Sequence, residues 1–396
     1  MASSFSQARL VTALNLRTLV TRWQSAAVTV VGIAGVMVVI VGVFSIYEGF
    51  RATLELSGAP DVMIILRGGS SDELQSGLAL DAVKIVGDVP SVMRDADGPL
   101  VSGEVFSSVD LINKATGGMA LVPLRGMGPQ GPKLRSHLHF ISGRMFTPGT
   151  NEIVVGQGAA HQFAGIEMGR ELKLGANRWN VVGIFSDAGG LAESELWCDL
   201  TVLQGTLNYG TAVQSIRARL TSPEAFRAFK DAVTTDPRVN FSVVSERDYL
   251  ANLSARLRGI IRSAGFAIAI LMGLGAIFAA LNTMYGAVAA RTREIATLRA
   301  LGFGAFPVVV SVLAEATMLG LVGALIGGAI GYMAFNGVQT STLNMSSFSQ
   351  VTFAFRVTGE LLQWGLIYAL VLALVGGVLP AIRAARLPIA SGLREL

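Results

Sequence analysis

The segment Arg291–Tyr332, RTREIATLRALGFGAFPVVVSVLAEATMLGLVGALIGGAIGY, joins a short basic turn to a long apolar run dense in glycine. REIATLRALG has helical spacing, which places Ile295, Leu298 and Leu301 on one side, with Glu294 near the start and Gly302 as a stop signal. A basic turn feeding straight into a membrane helix is a place where a membrane protein can meet something in the cytoplasm. The competing reading is an ordinary basic loop that only sets topology.

Working outward, the apolar run is one of four, at Ala26–Tyr47, Ile260–Ala290, Pro307–Phe335 and Leu361–Ile382. Each is near the ~20 residues that cross a bilayer as helix. The whole chain is 52% hydrophobic and 15% charged, where a soluble protein carries about 25% charge. The excess of apolar residues sits in these runs. Between the first two lies a long segment of ordinary soluble composition. The expected fold is therefore an α-helical membrane protein with four transmembrane helices and a large α+β extracytoplasmic domain between the first and second.

Topology follows from the arginines. Arg9, Arg17 and Arg22 precede the first run, Arg291, Arg293 and Arg299 lie between the second and third, and Arg383, Arg386 and Arg394 follow the fourth. These ends are expected in the cytoplasm, with both termini inside. Arg256, Arg258 and Arg262 conflict, and a helix continuing outward as a stalk keeps them in water. The plan is 1–24 as an interfacial amphipathic helix, 25–47 as the first span, and 48–257 as the outer domain. Then come stalk and second span at 258–290, a cytoplasmic loop at 291–306, the third span at 307–335, and an outer loop at 336–360. The fourth span, 361–382, and a cytoplasmic tail, 383–396, complete it. Leu10, Val11, Leu14, Leu19 and Trp23 can share one face of the first helix, with its arginines reaching lipid phosphates. The first apolar run is too long, and lacks the cleavage site, for a signal peptide.

In the outer segment, Asp61–Arg67, Glu104–Asn113, Met119–Arg125, Ser215–Leu220 and Val239–Val244 read as strands. Ser71–Val86 and Ser222–Thr234 read as helices, the second with Ser222 as cap and Pro223 at its first position. The order β-α-β, insertion, β-α-β suggests two related halves. The glycine-punctuated block between them, about 136–205, is expected to be a compact β-rich subdomain.

Several chemistries find no support. No G-x-x-x-x-G-K-[ST] occurs, so ATP and Mg belong to another polypeptide, and no cofactor is expected in this chain. His137 and His139 form H-x-H, but no acidic or Cys ligand is spaced to complete a metal site with them or with His161. There is no nucleophile-elbow signature. Cys198 is the only cysteine, so no disulfide can form within the chain. A net charge of +4 could suggest nucleic acid, but the basic residues cluster at membrane ends. Glu315 lies inside the third apolar run and should face protein or a watery cavity, as a polar anchor near the cytoplasm. Gly320, Gly323, Gly327 and Gly331 recur at spacings that let another backbone approach closely, possible partners including a second copy of the chain.

At these residues a family resemblance appears. RTREIATLRALG with the LAEATMLGLVGALIGGAIG span resembles the shared C-terminal domain of MacB/FtsX-type ABC transporter permeases, as does the closing GGVLPAIRAARLPIASGLREL. NEIVVG, ESELWCDL and DPRVNFSVVSERDYL are similar to the extracytoplasmic domain of the MacB-like branch. MacB carries its nucleotide-binding domain in the same chain, whereas this sequence resembles a separate permease subunit. The resemblance implies a bacterial inner-membrane protein, paired with an identical or related permease and docked on a cytoplasmic ABC ATPase. It implies that Arg291, Arg293, Glu294, Ile295, Leu298, Arg299, Leu301 and Gly302 form the coupling helix. It also implies outward transmission of motion on behalf of a lipid, lipoprotein, peptide or drug, with a periplasmic adaptor in some members. An FtsX-like device that activates a cell-wall hydrolase is the alternative.

Overall fold

The computed structural model describes residues 4–18, 23–174, 177–344 and 349–388. Leu19, Arg22 and Arg394 lie outside them, as do the side chains of Leu14, Arg17, Arg256 and Arg258. In chain order come α1 (Ser4–Thr18), α2 (Trp23–Ser57), β1 (Val62–Arg67), α3 (Asp81–Gly87), β2 (Arg94–Asp95), β3 (Gly98–Pro99), β4 (Val101–Asn113) and β5 (Met119–Met127). The middle holds β6 (His139–Gly143), β7 (Glu152–Gly156), α4 (Gln157–Gln162), β8 (Phe163–Ala164), β9 (Glu171–Leu174), β10 (Asn177–Ser186), β11 (Leu196–Asp199) and α5 (Leu200–Leu207). Then follow β12 (Ser215–Arg219), α6 (Phe226–Thr234), β13 (Phe241–Ser245), α7 (Glu246–Ala289), α8 (Thr292–Ala300), α9 (Ala305–Phe335), β14 (Gln339–Asn344), β15 (Ser349–Ala354) and α10 (Gly359–Ala385).

The chain divides into two units. The first comprises Met1–Glu48, Ile260–Val338 and Phe355–Leu396, and the second Gly49–Gly259 and Gln339–Ala354. Among the described residues, four helices are long and apolar enough to cross a membrane: Ala26–Ser57, Gly259–Ala289, Ala305–Phe335 and Gly359–Ala385. The valine-rich start of α2 is a poor helix former in water. In lipid the backbone must satisfy itself, so helix is the stable form. Thr358 caps α10 by accepting from the Leu361 amide at 3.1 Å, and Pro380 is accommodated inside that helix.

In the first unit the glycines of α9 have partners from the same chain. A Cβ on Gly323 would sit 2.9 Å from the Val30 carbonyl oxygen, one on Gly331 would sit 2.9 Å from Val41, and one on Gly327 would strike the Ala34 backbone. On Gly320 it would lie 2.5 Å from the Ala373 Cβ of α10. The seam expected as a candidate dimer contact is thus filled by α2 and α10 of the same chain. The first helix also departs from its expected pattern. Leu10 and Trp23 are exposed while Ala8 and Val11 are buried. The packed face is that of Ala8, Val11 and Asn15, because α1 lies against α9 and contact there selects the residues.

In the second unit one sheet of eleven strands runs β13-β1-β12-β4-β5-β11-β7-β10-β6, with β8 beside β4 and β9 beside β10. β1 is antiparallel to both neighbours, and β12 is antiparallel to β4. β1-α3-β4 and β12-α6-β13 are therefore two split β-α-β units that interleave, in the ferredoxin-like manner. The expected separate β-rich subdomain is instead the outer half of this sheet. β11 pairs parallel with β5, and Trp179, Ile153 and Leu196 share a core with Met63 and Ile216.

Helix in 71–86 is confined to α3, because Ser and Asp side chains capture the preceding backbone: Ser76 Oγ accepts from the Arg67 amide and Asp72 from the Gln75 amide, both at 2.9 Å. Pro223–Ala225 is a 3-10 turn leading into α6. The polar stretch expected as an outer loop at 336–360 contains the hairpin β14–β15. It belongs to the second unit, where Thr352 donates its amide to Ser194 Oγ at 2.8 Å.

A buried charge network lies beneath the sheet's centre. Arg125 donates to Glu73 at 2.8 Å, to Glu104 at 3.0 Å, and through two nitrogens to Glu195, each at 2.8 Å. Arg135 grips Glu104 at 2.6 and 3.0 Å, and Arg217 donates to Glu246. Arg217 Nε lies 3.0 Å from Glu104 but is not aligned for a hydrogen bond. Burial pushes Glu73 and Glu104 upward, and the arginine charges more than offset it, leaving both carboxyls at about 2.

Three outcomes follow. Arg125→Leu strands carboxylates in the interior and should cost about 3–5 kcal/mol, read by thermal unfolding of the full chain. Because Glu73 and Glu104 ionise far below the ordinary carboxyl value of 4.5, their contribution should hold above that pH and decline as pH falls toward 2. Gly327→Leu should lower the yield of folded protein, whereas Gly35→Leu, at a position open to space, should be tolerated.

Candidate coupling site

The short helix α8 is flanked by Arg291 before its first residue and Leu301 after its last, and the chain then turns at Gly302, whose φ of 94° is the left-handed stop anticipated for it. The Gly302 amide donates to the Arg299 carbonyl and the Phe303 amide to that of Leu298, both at 3.1 Å, so the last turn is closed before α9 starts.

Of the three apolar residues expected on one side of α8, Ile295 is buried among Val288, Val308, Val312, Ala381 and Ala384. Leu298 is half-buried and Leu301 is 73% exposed. They part because Leu301 falls just past the end of the helix, where the turn redirects it outward. Phe306, in the first turn of α9, is 56% exposed. Arg293 and Glu294 face outward with them. Arg299 is turned to the chain itself and donates to the Leu387 carbonyl at 2.7 Å.

Arg291 is not part of the exposed surface. It is buried, donates to the Ala287 carbonyl at 3.2 Å, and forms an ion pair with Glu315. Glu315 also accepts from Asn15 at 3.1 Å, and Asn15 donates to Ser311 at 2.8 Å. The buried carboxylate of α9 therefore has a cation from the start of α8 and an amide from α1. Three helices meet at one polar knot. Asn15 and Ser311 were missed by sequence reasoning. Their signal was faint: Ser311 stands one turn before Glu315 on the same face, and Asn15 falls among apolar residues of α1. A groove of about 690 Å³ opens beside the knot, lined by Val11, Asn15, Arg293, Glu294 and Leu298.

Elsewhere, His139 lies in β6 and His137 just before it, both exposed. Among the described residues, no group of three or more His, Cys, Asp or Glu is arranged to hold a metal. Burial raises the Cys198 thiol well above its ordinary range, which makes it unreactive.

Comparison with known proteins gives two family matches: the MacB-like periplasmic core domain over residues 26–236, and the FtsX-like permease C-terminal domain over residues 266–389. The structure is similar to the periplasmic region of MacB from Actinobacillus actinomycetemcomitans, with 16% identity and a TM-score of 0.39, covering 51% of this chain and 96% of that one. It is also similar to the extracellular domain of the noncanonic ABC-type transporter YknZ from Gram-positive bacteria, with 12% identity and a TM-score of 0.36, covering 46% and 100%. No curated protein matches the sequence. With the first family spanning more than half of its length and the second most of the remainder, the chain belongs to the MacB/FtsX-type ABC transporter permeases.

Proposed function

We propose that this chain is a non-catalytic permease subunit that couples ATP hydrolysis by a separate cytoplasmic ABC ATPase to movement of its extracytoplasmic domain. The work is done on a lipid, lipoprotein, peptide or drug already outside the membrane. The observation that carries the reading is the exposed stretch along α8 and just past it: Arg293 and Glu294 in its first turn, and the apolar side chains Leu301 and Phe306 after its last. An apolar anchor with charged neighbours is what a receptor groove on a partner protein holds. α8 is fixed from behind by Ile295 in the apolar cluster and by Arg291 on Glu315, so a push on its exposed edge would be delivered to α9 and α1. ATP and Mg are bound by the ATPase in this reading. The permease works as a pair, identical or related, in the bacterial inner membrane with both termini in the cytoplasm. A periplasmic adaptor is a further candidate partner.

Affinity purification from native membranes should recover an ABC ATPase with the chain, and repeated isolation without one would remove the reading. In the reconstituted complex, Leu301→Asp should weaken ATPase binding by about 2 kcal/mol, roughly thirtyfold, without altering insertion. Leu298→Asp should act in the same direction. Glu315→Leu alone leaves Arg291 buried without its partner and should lower stability by about 3–5 kcal/mol. The double variant Arg291→Met, Glu315→Leu should recover much of that stability yet remain poorly coupled. Normal coupling in it would show that the knot only stabilises and does not position α8.

A further inference from the structure

The second unit contains a cavity of about 320 Å³ whose base is the buried charge network. Arg125, Arg135 and Arg217 reach its wall, but each is already held by carboxylates. Glu73, Glu104, Glu195 and Glu246 share these three cations, so the network carries one negative charge in excess. An anion would find no arginine free to receive it.

Asp187 adds to this excess. It is 6% exposed and lines the cavity, and among the described residues no donor hydrogen-bonds its carboxylate. Its position is enforced. Glu193 accepts from Ser186 Oγ at 2.6 Å and from the Asp187 and Gly189 amides, each at 2.8 Å, so the loop 187–190 is clamped from one side. On the other side the Leu191 amide donates to Ser57 Oγ at 2.6 Å. Ala188, between them, adopts a φ of 52°, a left-handed conformation that a non-glycine residue takes only when its surroundings impose it. Burial pushes the Asp187 carboxyl up to about 6. Arg135 and His137 also line the cavity and attract this carboxylate without hydrogen-bonding it, so an acid set beside a strained residue keeps its acceptor oxygens unbonded in a cavity wall, an arrangement expected of a ligand-binding group. Leu134, Leu191 and Phe106 line other parts of the same cavity and offer apolar surface.

We propose that this cavity is a binding site for a small organic amine, whose ammonium sits on Asp187 and whose hydrocarbon lies against Leu134 and Leu191. A primary ammonium donates the hydrogen bonds that Asp187 lacks and neutralises the surplus charge. A volume of about 320 Å³ admits a short-chain amine and is at the small end of ligand pockets. The site is independent of the coupling helix and does not rest on the transporter reading.

Hexylamine is the probe, titrated by calorimetry into the full chain in nanodiscs at pH 7.5, with hexanol as the neutral counterpart. The wild type should bind hexylamine saturably and ignore hexanol. Asp187→Asn should weaken hexylamine binding about tenfold or more, the loss expected for a charge-assisted contact. Leu191→Trp should also abolish it, by filling the cavity while Asp187 remains. Thermal unfolding of both variants tests that they are folded. Saturable binding of equal strength in Asp187→Asn, equal binding of hexanol, or no saturable binding to the wild type would each overturn the proposal.

Discussion

A carboxylate inside an apolar helix has to be answered by something else in the chain, and Glu315 is answered by Arg291. Insertion of an unpaired charge of this kind costs about 2.5–3.5 kcal/mol at a helix centre. The ion pair avoids that cost only if the start of α8 stays against α9. Asn15 on the same carboxylate applies the same condition to α1. The polar knot therefore sets the position of the short helix α8, and the apolar seating of Ile295 then leaves Leu301 on the outside.

The second unit uses the same physics on a larger scale. Arginine and glutamate side chains from β4, β5 and β12, from the loop between β1 and α3, and from the first residue of α7 meet in one desolvated cluster. A guanidinium can serve several carboxylates at once because its donors are fixed in a plane. That explains why Arg125 engages three. Such clusters contribute little net stability relative to an apolar core, but they punish any wrong arrangement strongly. Glu246 in this cluster ties the beginning of the long helix α7 to β12, with its other oxygen accepting from the Ala59 amide at 3.3 Å. The element that leads toward the membrane is thus anchored at its first residue.

Glycine plays a separate part in the first unit. Close approach of α9 to α2 requires side chains that end at Cα, and Gly323, Gly327 and Gly331 provide it at successive turns. Packing of this sort substitutes for a hydrophobic driving force, which lipid does not supply between helices.

Four apolar helices, a mixed domain between the first two and two runs of β-α-β order were legible in the sequence, because each rests on composition and local periodicity, while the interleaving of the two runs was not. The glycine stop at Gly302 was legible for the same reason, since only a residue without Cβ takes that backbone freely. The sequence by itself also required that Glu315 face protein or a watery cavity rather than lipid. Only the tertiary structure decided that the partner is Arg291, that Ile295 turns inward while Leu301 turns out, and that the α9 glycines are used against α2. It alone joined the glycine-punctuated block into the main sheet, reduced the helix at 71–86 to α3, and seated the β14–β15 hairpin in the second unit. These are contacts between residues far apart in the chain, and no local pattern encodes which of several chemically suitable partners will be brought within reach.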